Sequence, residues 1–390
     1  MGFYIPQDKL PNLKLYKYSS EDHSTISRLV LKPWWNWFVQ LFPRSMAPNV
    51  ITLLGLVFII CNLFSVFYYD PYLNQDSPRW CYFFYAFGLF MYQTFDGCDG
   101  CHARNTGQSG PLGELFDHSI DAINTTLGSI VFCSVLQTGY SKLFLLTQFA
   151  SVTNFYMSTW EEYHTHTLFL STFSGPVEGI LMIIGMFAII GVFGPGIFQY
   201  KLLAVNNSWV VFDVDVKTAA SLLGLGSLYF NIAQAFGNVA RYYRRSKDSV
   251  AASKAIDMAY QGLIPFFSYY TSIAMLVTVF PDYLYQFGLP LSLSIGLSIA
   301  FAVGRIILAH LTIQSFPMVH LPMIVPVVQL VTTKFCVDVY GYDLFDVVYS
   351  SAWLGFGVTL GIHGSFINEI IYEITTYLDI YALSIKHKKA

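Results

Sequence analysis

Apolar residues occupy most of this chain in long runs that are separated by short polar stretches. A run of about 17–25 apolar residues can cross the hydrocarbon layer of a bilayer as an α-helix. Such runs occur at 49–69, 79–95, 111–137, 142–160, 177–194, 217–240, 260–280, 287–308, 321–341 and 345–373. The predicted fold class is therefore all-α, a polytopic integral membrane protein with about ten transmembrane helices.

The two ends of the chain are more polar than the region between them. Residues 1–48 contain no apolar run long enough to span, and the stretch 32–38 (KPWWNWF) mixes basic and aromatic side chains. That mixture is typical of a segment lying at a membrane surface. We predict an amphipathic, cytosolic or interfacial N-terminal segment over 1–48, one transmembrane domain over 49–373 and a cytosolic tail over 374–390.

Composition narrows the class of protein further. The 390 residues are 54% hydrophobic and 12% charged, which is too apolar for an ordinary soluble domain. A formal net charge of −3 argues against nucleic acid as a partner. Cys98 and Cys101 have the spacing of a metal or redox pair, but no second pair accompanies them, so we interpret this spacing as incidental.

Basic residues in the short loops predict the orientation of the chain. A cytosolic N-terminus places the acidic stretch 96–104 and two basic clusters on the cytosolic side. These clusters are Arg241, Arg244, Arg245, Lys247 and Lys254, and Lys386, Lys388 and Lys389. The glycosylation sequon Asn206-Asn-Ser208 then faces the lumen, whereas the match at Asn124-Thr-Thr126 lies inside a predicted span and is interpreted as chance.

Residues 96–121 hold four aspartates in a chain with few charges. On helices, Asp96 and Asp99 share one face, and Asp117 and Asp121 share another. Two carboxylate pairs form an all-oxygen site that suits two Mg²⁺ or Mn²⁺ ions and can clamp a diphosphate. The alternative is that the aspartates only pair with cations between helices. Because few cations lie nearby in sequence, that alternative leaves buried carboxylates unpaired at a high cost in free energy.

His118 is the candidate general base of this site. It stands four residues after Glu114, so on a helix the Glu114 carboxylate can accept an imidazole N–H and orient the ring. Asp121 is a competing base. The structural alternative is that His118 bonds a backbone carbonyl or supports Asp121.

The spacing D-x2-D-G-x2-A-R-x8-G-x3-D-x3-D resembles the signature of the CDP-alcohol phosphotransferases. Every fixed position matches, at Asp96, Asp99, Gly100, Ala103, Arg104, Gly113, Asp117 and Asp121. Further stretches at 46–49 (MAPN), 92–93 (YQ) and 111–118 (PLGELFDH) resemble the eukaryotic choline/ethanolamine branch. The similarity extends over the whole chain and is closest to fungal members.

This resemblance implies transfer of phosphoethanolamine, and of phosphocholine, from CDP-ethanolamine or CDP-choline to diacylglycerol. The products are phosphatidylethanolamine or phosphatidylcholine and CMP, in the last step of the Kennedy pathway. It implies two ions held by Asp96, Asp99 and Asp117 with Asp121 completing the site, and His118 as proton acceptor. The implied CDP-alcohol contacts are Asn49, Tyr92, Gly100, Arg104 and Glu114, although the Asn49 amide could instead cap its helix.

Family members form homodimers, and the lysines of the C-terminal KHKKA resemble a retrieval signal for the endoplasmic reticulum. We therefore expect a homodimer in the membrane of the endoplasmic reticulum, with the Golgi as a second location and the active site facing the cytosol. Membrane lipids are expected partners.

Two alternatives stay open from the sequence. One is a dedicated diacylglycerol cholinephosphotransferase. Position 97 is Gly, as in ethanolamine-type members, where choline-type members carry Ala, so we predict ethanolamine transfer with appreciable choline activity. The remote alternative is an ion-coupled transporter, which predicts acidic residues spread over several helices rather than within 26 residues.

Overall fold

The computed structural model describes residues 2–17, 19–22, 24–170, 176–206, 211–246 and 248–386. Thirteen α-helices are found in these ranges. They are α1 (Lys32–Phe38), α2 (Pro48–Tyr69), α3 (Arg79–Thr106), α4 (Pro111–Val135), α5 (Lys142–Thr165), α6 (Pro176–Phe193), α7 (Val216–Ser246), α8 (Ser249–Gln261), α9 (Ile264–Val279), α10 (Asp282–Tyr285), α11 (Gly288–Thr312), α12 (Val325–Asp338) and α13 (Leu344–Leu378).

Short helical turns and strands complete the described ranges. The turns are Leu10–Leu15, Ser27–Leu31, Val39–Leu41, Pro195–Gln199 and Leu321–Ile324, and the strands are β1 (Ser20–Asp22), β2 (Leu168–Leu170), β3 (Lys201–Asn206) and β4 (Val211–Asp215). β1 and β2 pair in parallel, whereas β3 and β4 form an antiparallel hairpin between α6 and α7. The predicted all-α class is confirmed apart from these two small pairs.

Each of the ten predicted apolar runs overlaps an α-helix of the structure. The run 260–280 covers α9 and the end of α8, and these two helices together form one membrane-spanning stretch, Ser249–Val279. Six helical stretches are long and apolar enough to cross a membrane, and 177–193 is a shorter apolar helix. A polytopic membrane protein is therefore confirmed. The polar helices α3, α4 and α5 are not among the six, so the count of ten spans stays a prediction.

Five helices continue beyond the predicted ends of their apolar runs. The extensions are from 95 to Thr106 in α3, from 160 to Thr165 in α5, from 240 to Ser246 in α7, from 308 to Thr312 in α11 and from 373 to Leu378 in α13. Helix hydrogen bonding need not stop where the apolar side chains stop, because the bonds join backbone N–H and C=O groups four residues apart. The extension of α3 beyond residue 95 contains Asp96 and Asp99. The first two aspartates of the candidate site therefore lie on the polar end of this helix.

The N-terminal segment packs on the helices rather than lying apart from them. Tyr4, Ile5 and Leu13 are buried in the main hydrophobic core. The Asn12 amide donates a hydrogen bond to the carbonyl of Thr312 at the end of α11, at 2.7 Å. β1 pairs with β2 directly after α5, so the segment is held over the ends of α5 and α11.

Candidate active site

The two acidic helices meet because the chain reverses between them. α3 ends at Gly107, whose φ of 66° lies in the left-handed region that glycine adopts without strain. α4 begins at Pro111, a residue favoured in the first turn of a helix. One oxygen from each of Asp96, Asp117 and Asp121 lies within 4.8 Å of the other two.

Hydroxyl groups satisfy some of these carboxylates. Thr52 on α2 donates to Asp99, and Tyr92 on α3 donates to Asp121. Oδ1 of Asp117 is buried without a hydrogen-bond partner among the described residues. A buried oxygen of this kind is costly unless a ligand pairs with it.

The cluster fits a divalent cation. Its donors are carboxylate oxygens, which Mg²⁺ and Mn²⁺ prefer, and three of them converge with one oxygen left unpaired. Asp99, the fourth predicted ligand, lies outside the converging group but lines the same cavity and is held by Thr52.

A cavity of about 1520 Å³ contains the cluster. All of the site residues predicted from sequence line it, namely Asn49, Tyr92, Asp96, Asp99, Gly100, Arg104, Glu114, Asp117, His118 and Asp121. The N-terminal segment and the chain after α13 also contribute to its wall. The structure therefore brings the predicted residues together in one place.

One hydrogen bond and one close carboxylate contact define the surroundings of His118. Its Nδ1 lies 3.1 Å from the backbone oxygen of Glu114, and a carbonyl oxygen can only accept, so Nδ1 carries a proton. Nε2 lies 3.2 Å from Oε2 of Glu162 on α5. The reactive nitrogen of the ring is therefore Nε2, and it faces a carboxylate that is 3% exposed.

The Glu114 side chain does not orient His118 in the predicted way. The hydroxyl of Tyr16 donates to Oε2 of Glu114 at 2.6 Å, and only the backbone of Glu114 bonds the ring. Although Glu114 is four residues before His118, its carboxylate accepts a hydrogen bond from Tyr16 of the N-terminal segment instead of from the His118 ring. The carboxylate that lies beside the His118 ring in the structure is Glu162, whose Oε2 is 3.2 Å from Nε2.

Sequence reasoning missed Glu162, Tyr16 and His310 as neighbours of the site. One ligand atom of Glu162 lies within 4.8 Å of those of Glu114 and His310. Glu162 did carry a signal, since a carboxylate beside an apolar run is a functional candidate. Its partner on α4 could not be identified, because the two helices meet only in the folded chain.

Arg104 and Asn49 both line the cavity but differ in exposure. The Arg104 guanidinium is exposed, and one nitrogen lies 3.2 Å from Sγ of Cys101. Asn49 is buried in the first turn of α2, where its amide donates to the carbonyl of Ala382 at 2.9 Å. The residue at the N-cap is Ala47, so the capping role considered for Asn49 is wrong.

These observations define a polytopic membrane protein with a carboxylate-lined cavity among its helices. A sequence profile described as CDP-alcohol phosphatidyltransferase matches residues 45–213. The chain is 53% identical over its whole length to the whole of cholinephosphotransferase 1 of Saccharomyces cerevisiae. It is 51% identical to choline/ethanolaminephosphotransferase 1 of the same yeast, again with 100% of both chains covered, and 32% identical to a protein of that name from Arabidopsis thaliana over 99% of this chain. The protein belongs to the CDP-alcohol phosphatidyltransferase family.

Proposed function

We propose that this protein transfers phosphoethanolamine or phosphocholine from the corresponding CDP-alcohol to diacylglycerol and releases CMP. The observation that carries this proposal is the meeting of Asp96, Asp117 and Asp121 within 4.8 Å, in a cavity that also holds His118. The names of the yeast relatives include both head groups. A transporter is disfavoured, because the acidic residues converge on one site.

The chain's own residues have separable roles in this reaction. Asp96, Asp99, Asp117 and Asp121 would hold Mg²⁺ or Mn²⁺, and two such ions would neutralise the diphosphate charge. Arg104, exposed at the cavity wall, can fork onto phosphate oxygens.

His118 accepts the proton of the diacylglycerol hydroxyl at Nε2, because Nδ1 already carries one. Nε2 has one in-plane lone pair, so the hydroxyl takes the position beside Nε2 that the Glu162 carboxylate occupies in the free enzyme. The displaced but adjacent Glu162 carboxylate then stabilises the imidazolium that forms. The oxygen of the acceptor then attacks the phosphorus next to the alcohol, and CMP leaves. Asp121 is the less favoured base, since Tyr92 already donates to it.

The decisive experiment is an assay of purified protein with labelled CDP-ethanolamine, diacylglycerol and Mg²⁺ or Mn²⁺. We expect labelled phospholipid and CMP in equal amounts. Excess EDTA should abolish product formation, and added metal should restore it. Robust turnover in EDTA would refute the metal assignment, and no phospholipid under any metal would refute the activity.

Head-group choice is the finer part of the proposal. We propose an ethanolamine phosphotransferase with appreciable choline activity, on the strength of Gly97 next to Asp96. The check is kcat/KM for both CDP-alcohols on one preparation. A preference for CDP-choline above about tenfold, or about 1.4 kcal/mol, would favour the dedicated choline enzyme instead.

We further propose that the protein acts as a homodimer in the membrane of the endoplasmic reticulum, or of the Golgi, with its active site toward the cytosol. The basic residues of α7 and α8 support the orientation. Lys247 of the basic cluster lies outside the described residues, as do Lys388 and Lys389 of the C-terminal retrieval motif.

A further inference from the structure

Three asparagines line the cavity beside the acidic cluster, and the proposed reaction gives them no role. They are Asn124 on α4, Asn154 on α5 and Asn231 on α7, together called the asparagine triad. Asn124 follows Asp121 by three residues, so it lies about 4.5 Å further along the helix axis, away from the start of α4 at Pro111. The Asn124 amide therefore lies nearly one helical turn beyond the metal-binding carboxylates of α4.

The triad presents fixed polar atoms to the cavity. Nδ2 of Asn231 donates to Oδ1 of Asn154 at 2.9 Å, so the hydrogen-bonding capacity that remains on the Asn154 amide for a ligand of the cavity is that of its Nδ2 donors. Asn124 is only 6% exposed, and its Oδ1 is buried without a hydrogen-bond partner among the described residues. A half-turn of that amide exchanges its oxygen for its N–H donors.

Apolar side chains of α6 also line the cavity, among them Ile180, Ile183 and Met186. Amides inside a membrane protein are costly unless they pair, so an occupant that suits both sets of side chains has hydrogen-bond acceptors and apolar chains. A glycerolipid with ester carbonyls near its free hydroxyl has both.

We propose that the asparagine triad recognises the ester carbonyls of the acceptor lipid and so selects a diacylglycerol over its ether analogue. This inference rests on the proposed transfer to diacylglycerol. Ester carbonyls accept hydrogen bonds well, whereas ether oxygens are weaker acceptors and lie closer to the glycerol. Asn154 is the donor, Asn231 holds its amide in that orientation, and Asn124 supplies a second amide from α4.

The test compares two lipids with the same chains, 1,2-dioleoylglycerol and 1,2-di-O-oleylglycerol, in nanodiscs with saturating CDP-ethanolamine and Mg²⁺. We expect the wild type to favour the diester by about tenfold or more in kcat/KM, since a site built to hydrogen-bond a group rejects an analogue lacking it. Asn154→Leu should lower kcat/KM for the diester about tenfold and leave the diether value nearly unchanged. Asn231→Leu should give a smaller loss in the same direction, because Asn154 can then rotate.

The ratio of kcat/KM for the diester to kcat/KM for the diether, measured on one preparation, does not depend on the fraction of folded enzyme. A poorly folding variant therefore still reports its lipid preference. Asn368→Leu is the matched control, because Asn368 is exposed on α13 and does not line the cavity; its ratio should equal that of the wild type. Equal losses for both lipids in Asn154→Leu would overturn the inference. So would a changed ratio of kcat/KM for CDP-choline and CDP-ethanolamine together with an unaltered ratio for the two lipids. That result would assign the triad to head-group recognition. Absence of transfer to either lipid by the wild type would refute the proposed function itself.

Discussion

At the scale of the residue, the arrangement around His118 determines how a proton can move. The Nδ1–H group is held by the carbonyl of Glu114, so proton transfer is restricted to Nε2. Nε2 faces Glu162, a carboxylate 3.2 Å away on a different helix. A carboxylate beside a histidine stabilises the imidazolium and so raises the driving force for accepting a proton.

Replacing His118 should affect the chemical step more than binding. His118→Ala should lower kcat by roughly 10²–10⁴, the usual worth of general base catalysis, while the KM for CDP-alcohol changes little. Steady-state kinetics and a nucleotide-binding measurement on the same preparation check this. A variant with near-normal kcat would move the base role to Asp121.

Glu162 and Glu114 can be distinguished by parallel amide substitutions. Glu162→Gln should lower kcat by about tenfold or more, because it removes the charge that stabilises the imidazolium, and Glu162→Asp should recover part of the loss. Glu114→Gln keeps the backbone bond to His118, so its kcat should fall less. The measurement is kcat against KM for all three variants, and a larger kcat loss in Glu114→Gln would return the orienting role to Glu114.

The residues of the site were predictable from sequence to the extent that they are close in sequence. Asp117 and Asp121 are one turn apart on one helix, so their shared face follows from helix geometry alone. The bond from Tyr16 to Glu114 joins residues 98 positions apart, and no periodicity in either segment contains it. The same holds for Glu162, whose contact with His118 depends on how α4 packs against α5.

At the scale of the element, α1 packs on α3 at the point where Gly97 separates the first two aspartates. An added Cβ at Gly97 would lie 2.3 Å from Cε2 of Trp35, so the absence of a side chain allows this approach. Trp35 and Gly97 both line the cavity. The methyl group that distinguishes the two head-group types by resemblance would therefore press on α1.

Gly97→Ala should consequently act through Trp35. We expect a lower melting temperature of the purified protein and an altered ratio of kcat/KM for the two CDP-alcohols, since the indole must move away from α3. Gly185→Ala on α6 is the control, because nothing lies within 4 Å of its added Cβ. Trp35→Leu in the Gly97→Ala background should restore stability in part, as expected for residues in contact. Additive effects of the two substitutions would contradict the contact.

Apolar runs predicted where the helices are, but not how their ends are used. The pattern reports residues that avoid water, so it located α2, α6 and α11 well. It did not predict that Tyr4 and Leu13 of the N-terminal segment are buried in the core. A short segment with mixed polarity gives no periodic signal, and its position follows from contacts with residues far along the chain.

At the scale of the whole molecule, the orientation decides which compartment supplies the nucleotide. The turn between α3 and α4 and the junction of α7 with α8 should lie on the same side, because four helices, α4 to α7, separate them. The hairpin of β3 and β4 should lie on the opposite side. A cytosolic source of CDP-alcohol requires the first two regions to face the cytosol.

Glycosylation reports this orientation directly. Asn206 ends β3 and opens the sequon whose remaining residues, 207 and 208, lie outside the described residues. If the hairpin is lumenal, the protein made in a eukaryotic cell should carry a glycan that endoglycosidase removes, and Asn206→Gln should abolish it. Lys247→Asn in the Asn206→Gln background creates a matched acceptor before Asp248 and Ser249, at the start of α8. That variant should stay unglycosylated, since it would face the cytosol. A glycan on Lys247→Asn but none on the wild type would reverse the orientation and place the acidic site in the lumen.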